Sequence, residues 1–320
     1  MKKILGLAAK ARSGKDTAAS FLLAHPGVAA YALADPLKRG CQALFALTDA
    51  QAWDDTVKER TLDAWGQSPR EFFQRVGTEW MRAHNSLHWL KRADLEINGM
   101  AGHPDTSPSP HAQNPISATD PDAPFIKAVS AIFGLPDRSW DADLRSIPDE
   151  YWKISPEEML QILKVMTYSD FPDFDAQRAR HIQNNSVESS DNAKSPVRVP
   201  SFDATGKDII IIKDIRFENE AHFIRTTEGE IWHIVRDNVE SVKAHSSEAG
   251  IQIKQGDVVI PNNGTLEDYL SAIEKEWLIL KSNLANNKTL ESNQTPSNTR
   301  SLVNGQSDED TNQPPTSTSK

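Results

Sequence analysis

The stretch "AAKARSGKDTAASFL", residues 9–23, holds the residue types that bind phosphate. A short apolar run, "KKILGLA", comes just before it, and a helical pattern starts at Lys15. In such a loop Gly14 lets the backbone come close to a phosphate, amide N–H groups and the helix start cradle it, and Lys15 reaches the terminal phosphates. Ser13 and Thr17 flank that pair. The usual spacing, G-x-x-x-x-G-K-[ST], is broken twice. Ala9 stands at the first glycine, and Asp16 stands where the hydroxyl belongs. A small residue fits position 9 if its φ stays negative. Asp16 can hold Mg²⁺ directly or through water, leaving Thr17 to bond a phosphate oxygen. The same carboxylate would suit the first turn of any helix.

Two further groups carry chemistry. In "SPREFFQRVGTEW" (68–80), Ser68 can cap a helix and Pro69 suits its first turn. At about 100° per residue, Arg70, Gln74, Gly77 and Thr78 share one side, while Phe72, Phe73, Val76 and Trp80 take the other. A polar helix face is usually only solvated. Gly77 argues otherwise, because a mid-helix glycine costs ~1 kcal/mol relative to alanine. Arg70 suggests that a phosphate is what comes close, held as a fork. Trp89 reads equally well as a base-stacking ring or as core.

In "IIIIKDIRFENEA" (209–221), Asp214 ends an apolar run, where an open α/β sheet places its ligands. Arg216 points the same way if the strand continues, and Glu220 falls in the next turn. The competing reading is a surface salt-bridge cluster. "VVIPNNGTLEDYL" (258–270) reads as strand, Asn-Gly turn and a helix capped by Thr265; its loop could touch a nucleobase.

The elements that must position these groups follow from pattern. Strands are expected at "KKILGLA", at 28–34 (ending at Asp35-Pro36), at 208–214 as a run buried on both faces, at 230–235 and at 257–260. Helices fill 15–23, most of 36–98 and 125–183, and one closes the domain from Leu266 to about Leu284. Segments 102–124 and 184–206 are dense in Pro, Ser and Asp and read as linkers. The domain is expected over 1–283, with an inserted helical segment at about 102–206 and a disordered polar tail at 284–320. A shift of 87 or 88 residues aligns Leu44-Phe45 with Ile132-Phe133, Trp53-Asp54 with Trp140-Asp141, Trp65 with Trp152, and Ser68-Pro69 with Ser155-Pro156. This is read as an internal duplication. The second copy has Glu157 for Arg70, Lys164 for Gly77 and Val165 for Thr78.

A net charge of −10 argues against a nucleic-acid coat or a membrane-surface binder. Residues 1–100 nonetheless hold 14 Lys and Arg against 11 Asp and Glu, so the amino-terminal third is the place for an anion site. Cys41 is the single cysteine, which rules out an internal disulfide and suits a reducing cytoplasm. The apolar run in "MKKILGLAAKA" is too short for a signal peptide, and nothing approaches the ~18 apolar residues of a membrane span. A cytoplasmic location, without stable nucleic-acid or membrane partners, is expected.

Taken together these stretches resemble the deoxynucleoside monophosphate kinases of tailed bacteriophages. The family's S-G-K-D-T loop matches Ser13 to Thr17, so Asp16 is a family trait. Also similar are "ADPLK" (34–38), the Arg-x-x-x-Gln-x-x-Gly-Thr helix, the Trp89 region, "DIRFENEA" (214–221) and "HSSEAG…GDVVIPNNGTLEDYL" (245–270). The match covers about residues 1–98 and 208–280; Ala9 departs from it, and 102–206 has no counterpart.

The resemblance implies an α/β P-loop NTPase fold: a parallel sheet, helices on both faces and a helical lobe. It implies transfer of the γ-phosphoryl of MgATP to a deoxynucleoside monophosphate, host-cell cytoplasm if phage-encoded, and leaves a homodimer open. It implies an acceptor site of Lys38, Arg70, Gln74, Gly77, Thr78 and Trp89. Lys15, Asp214, Arg216 and Glu220 would lie at the reacting phosphates, with Asp16 on the metal. Such a reaction requires no catalytic base, because a phosphate monoester has a second pKa of about 6 and is ionised at neutral pH. The rivals are a kinase of another phosphorylated acceptor, of the dephospho-coenzyme A or phosphomevalonate type, and a nucleotide-binding regulatory protein without transfer activity. The duplicated copy is expected to be non-catalytic: Gln161→Ala should leave turnover intact, and loss of activity in the folded variant would contradict that.

Overall fold

A computed structural model of the chain describes residues 2–10, 12–99, 120–188, 197, 199–213, 215–237 and 251–293. Two compact units divide it, Met1–Glu274 and Lys275–Lys320. The first contains a parallel sheet of order β2-β3-β1-β4-β5. Its strands are β1 (Lys3–Ala9), β2 (Val28–Tyr31), β3 (Ile209–Ile212), β4 (Glu230–Val235) and β5 (Val258–Pro261). In register, Leu5 lies between Ile211 of β3 and Glu230 of β4. The four isoleucines of β3 are all buried, as a β-branched run flanked by two parallel neighbours requires.

Helix α1 (Lys15–Leu23) leaves the end of β1, and α9 (Glu218–Thr226) follows β3. Ala221 and Ile224 of α9 join one apolar cluster with Ile4 and Ala8 of β1 and Ile231 of β4. The sheet is thereby flanked by helices. The strand expected at 28–34 stops at Tyr31, and α2 (Ala34–Phe45) takes Asp35 and Pro36 into its first turn, positions that an acid and a proline favour.

Helices α2, α3 (Asp49–Trp53), α4 (Pro69–Gln74), α5 (His88–Asn98), α6 (Ala123–Phe133), α7 (Pro156–Asp170) and α8 (Phe174–Glu188) make a helical lobe. Its core is aromatic. Phe45 stacks on Phe72 at 4.1 Å between centroids and meets Trp65 edge-on at 5.3 Å. Burying each such ring is worth about 2–3 kcal/mol.

The lobe repeats its own geometry. Ser68 and Ser155 both start helices with reciprocal caps, to Glu71 and to Glu158. The Arg70 N–H donates to the Lys58 carbonyl at 3.0 Å, and the Glu157 N–H donates to the Arg145 carbonyl at 3.0 Å. Phe133 meets Trp152 edge-on at 5.1 Å, as Phe45 meets Trp65. Ala46 and Gly134 end α2 and α6 in the same left-handed conformation, φ 56° and 76°.

The backbones of the two copies differ in one helix. After Gln74 the first copy runs as a π-helix, Arg75–Arg82, whereas the matching stretch of α7 stays α-helical. The Ala83 N–H accordingly reaches back five residues to the Thr78 carbonyl. The even 100° steps assumed from sequence therefore hold only to Gln74.

The expected linkers are only partly described: α6 starts at Ala123 and α8 runs to Glu188, each inside a segment read as linker. The closing helix, α10 (Leu266–Asn293), continues past Leu284 into residues assigned to the polar tail; the rest of that tail lies outside the described residues. Among the described residues no helix is long and apolar enough to cross a membrane.

A buried charge cluster ties α9 to the segment before β5. Asp257 accepts from Arg225 at 2.6 and 3.0 Å, from His233 at 2.9 Å and from the Lys254 N–H at 2.9 Å. Burial alone would raise its pKa; the hydrogen bonds, Arg225 foremost, bring it down to about 2. The folded-state value is thus below the unfolded one, and the stability gained, about 2 kcal/mol, is complete above pH ~4 and lost as pH falls towards ~2. Asp257→Asn should lower urea-measured stability at pH 7 by at least that amount, with the gap to wild type closing below pH ~4. A constant gap down to pH 3 would contradict this cluster's role.

Candidate active site

The loop after β1 contains two left-handed residues, Arg12 at φ 62° and Gly14 at φ 100°. A non-glycine residue in that region costs about 1–3 kcal/mol, and such strain collects at functional sites. Alternation of this kind lets successive backbone N–H groups converge on an anion. Gly14 is the residue that caps α1, with Lys15, Asp16 and Thr17 forming the helix's first turn. Asp16 and Thr17 are exposed, Lys15 is half-buried and Ser13 is buried.

The loop is held from the far end of the domain. Asn262 donates its side-chain amide to the Ser13 carbonyl at 2.8 Å, and the Tyr269 hydroxyl donates to the Gly14 carbonyl at 2.9 Å. Burial pushes the Tyr269 phenol up to about 12, so it remains a donor at neutral pH. A Cβ on Gly14 would sit 2.4 Å from the Asn262 amide nitrogen. Glycine is required here twice, for φ and for space. The loop containing Asn262, which the sequence offered as a base contact, bonds the Gly14 loop.

Asp214 lies outside the described residues. Its neighbours are clear. The Ile215 N–H donates to the Leu7 carbonyl at 3.1 Å, so the chain leaving β3 runs beside β1. Arg216 is exposed, and its N–H donates to Glu220 Oε2 at 2.9 Å. Strands β1 and β3 are neighbours whose onward connections go to opposite sides, β1 to β2 and β3 to β4. The crevice at the carboxyl ends of such strands is where α/β folds bind ligands.

Glu220 has a setting unlike the one expected. It is 2% exposed; Oε1 pairs with the Arg82 guanidinium, while Oε2 accepts from the Arg216 and Phe217 N–H groups. A carboxylate so occupied holds the Arg216 loop in shape. Arg82 was not singled out from sequence, and its guanidinium lies 4.4 Å from the Phe217 ring centre.

The expected acceptor residues divide into two groups. Arg70, Gln74 and Thr78 are exposed; Arg70 pairs with Glu59 at 2.6 Å. Lys38 is half-buried, 5.0 Å from the Trp53 ring centre, and burial lowers its pKa. Gly77 and Trp89 are buried. A Cβ on Gly77 would come within 2.8 Å of Leu37, so its absent side chain makes room for α2. The Trp89 indole donates to the Gly77 carbonyl at 2.9 Å, an arrangement that matches the core reading of this ring. Among the described residues no three His, Cys, Asp or Glu side chains gather into a metal cluster.

The parallel sheet, the loop at the end of its central strand and the helix that starts there define a P-loop kinase fold. A family model described as deoxynucleotide monophosphate kinase matches residues 198–273, a span that includes Arg216, Glu220, Asn262 and Tyr269. A protein of Acanthamoeba polyphaga mimivirus, provisionally named deoxynucleotide monophosphate kinase, is 26% identical over 273 residues, 84% of this chain and 93% of its own length. The deoxynucleotide monophosphate kinases of Escherichia phage RB69 and Enterobacteria phage T4 are 40% and 36% identical over 68 and 76 residues. Those stretches are 21% and 24% of this chain, and 28% and 32% of the phage proteins. The chain is thus similar to deoxynucleotide monophosphate kinases, as the resemblance read from its sequence implied.

The two contacts on the loop can be tested without reference to chemistry. A hydrogen bond of this kind contributes about 1 kcal/mol. Tyr269→Phe and Asn262→Ala should each lower stability by about that much and speed hydrogen exchange at the Gly14–Thr17 amides. Unchanged exchange in both variants would mean that the loop holds its shape unaided.

Proposed function

We propose that the protein transfers the γ-phosphoryl group of MgATP to a deoxynucleoside monophosphate, giving the diphosphate. The observation that carries this reading is the left-handed Gly14 between buried Ser13 and Lys15, at the start of a helix and at the end of the central strand. The relatives' names supply the acceptor class.

On this reading the Gly14 loop and Lys15 bind the ATP phosphates, and Arg216 neutralises charge on the transferring group. Arg70, Gln74 and Thr78 take the acceptor, with Lys38 beside them. Arg70 can serve because its partner Glu59 is half-exposed, and such exposed pairs are worth only about 0–1 kcal/mol. A phosphate dianion would displace that carboxylate. Gly77 and Trp89 are buried, and on this reading they shape the helix that presents the acceptor residues.

The donor chemistry fits magnesium. Mg²⁺ typically takes one or two carboxylates, water and substrate phosphate oxygens, and exposed Asp16 beside Lys15 offers one such oxygen. Asp16 would hold the ion, which when bound supplies charge neutralisation between phosphates. The acceptor arrives ionised, so the residues' work is alignment and charge cancellation.

A coupled ADP-release assay over a panel of ribo- and deoxynucleoside monophosphates, dephospho-coenzyme A and phosphomevalonate separates this proposal from its rivals. Turnover is expected with deoxynucleoside monophosphates. Lys15→Ala and Arg216→Ala should each lower kcat by at least ~100-fold, with melting temperatures close to wild type. Absence of transfer to every deoxynucleotide, or wild-type turnover in both variants, would overturn the proposal.

A further inference from the structure

We infer that Arg82 and Glu220 form a positioning latch, which fixes the π-helical segment Arg75–Arg82 against the Arg216 loop and so sets the distance between acceptor and phosphoryl donor. The inference rests on the function proposed above and adds residues to it.

The duplicated lobe acts as an internal control. Both copies begin with the same Ser-Pro start and the same reciprocal cap, so their opening turns have the same local instructions. Yet the stretch 162–169, which matches Arg75–Arg82 at the 87-residue shift, belongs to a regular α-helix. The starting sequence therefore does not dictate the π-helix. π-Helical segments are rare and concentrate at functional sites. This one occurs in the copy that has Arg70, Gly77 and Thr78, and is missing from the copy that has Glu157, Lys164 and Val165.

Contacts made by the first copy alone hold the wider turns. Near the start, the Trp89 indole takes the Gly77 carbonyl. On another side, Asp170 accepts from Arg75 and from the Trp80 indole, both at 3.0 Å. At the end, Arg82 pairs with buried Glu220 and covers the Phe217 ring. The residue matching Arg82 in the second copy is Ser169, which has no charge to offer.

The last contact is the one that leaves the lobe. Glu220 grips Arg82 with one oxygen and the Arg216 and Phe217 amides with the other. A single carboxylate thus joins the helix bearing Gln74 and Thr78 to the loop bearing Arg216. A second tie runs alongside, from the Asn219 side-chain amide to the Ser86 carbonyl at 3.0 Å. The phosphate loop is held separately, by Asn262 and Tyr269. The latch should therefore govern the acceptor's alignment and leave ATP binding alone.

Three variants separate alignment from stability. Arg82→Met keeps the stem over Phe217 and removes the charge. Arg82→Met with Glu220→Gln also removes the unpaired buried carboxylate while keeping an acceptor for both amides. Arg82→Lys restores charge without the planar fork. Arg82→Met should lower kcat with the deoxynucleotide about 100-fold, with the KM for ATP within about twofold of wild type. The double variant should regain the melting temperature but not kcat, and Arg82→Lys should regain about half of the loss on a logarithmic scale.

Hydrogen exchange gives a reading independent of catalysis. In Arg82→Met, amides 75–83 should exchange faster while 162–169 stay as in wild type. Recovery of kcat together with melting temperature in the double variant, or unchanged exchange at 75–83, would overturn the latch. If the wild type transferred phosphate to no deoxynucleotide, the function proposed above would fall, and the exchange result would still decide whether the latch exists.

Discussion

An anion cradle needs its N–H groups turned inward, which leaves the carbonyls of the same peptides to be bonded from outside. Here the Ser13 carbonyl accepts from Asn262, and Tyr269 is a second donor to the Gly14 carbonyl, which also accepts from the Ala18 N–H of α1. The Gly14 loop therefore gains these contacts only when the last part of the domain has folded onto the first. That requirement explains why β1 sits mid-sheet, with β3 and β4, both from the latter part of the chain, as its two neighbours. It also explains why a glycine must occupy position 14, since the supporting amide stands where any side chain would start.

The helical lobe obeys a different constraint. Two copies of one unit share a core, with aromatic rings and serine caps repeated, so most of what they have in common concerns folding. What they do not share is more informative than any one residue alone. Trp65 and Trp152 recur, and so read as structure. Arg70, Gly77, Thr78 and Arg82 occur once, in the copy whose helix widens. Trp89 belongs with the structural set by burial, yet it supplies the hydrogen bond that takes up a carbonyl of the widened turn. Core and site are joined at that bond.

Much of this could be read from the sequence because periodicity and loop chemistry are local. The four isoleucines at 209–212, the Gly14-Lys15 pair and the Ser68 cap each declare themselves within a few residues. The rest could not, for definite reasons. A π-helix depends on partners from outside it, and here these come from other helices: the Trp89 indole donates to the Gly77 carbonyl, and Asp170 accepts from Arg75 and the Trp80 indole. The partner of Glu220 could not be read, because nothing near it in sequence reveals Arg82, 138 residues away. Gly77 stood out as a mid-helix glycine, and the side chain beside it is Leu37 of α2, which no local pattern announces. Tyr269 gave no signal, since a tyrosine in a helix's first turns is ordinary until its hydroxyl is seen on the Gly14 carbonyl.

The two copies also differ in the sign of one ion pair, and that difference bears on how an acceptor site could arise. At the same turn, the first copy sets Arg70 on the helix against Glu59 on the loop, and the second sets Glu157 on the helix against Arg145 on the loop. Either arrangement stabilises the turn to a similar small extent, as partly exposed pairs do. They are not equivalent towards a phosphate. A cation mounted at a helix start, with a loop carboxylate that water can replace, can exchange its partner for a dianion. A helix-mounted carboxylate repels the same group, and its arginine is already committed to a partner that also accepts from Gln161. Folding alone is indifferent to the sign of this pair; on the proposed reading, binding is not, and the sign would then distinguish a working lobe from a supporting one.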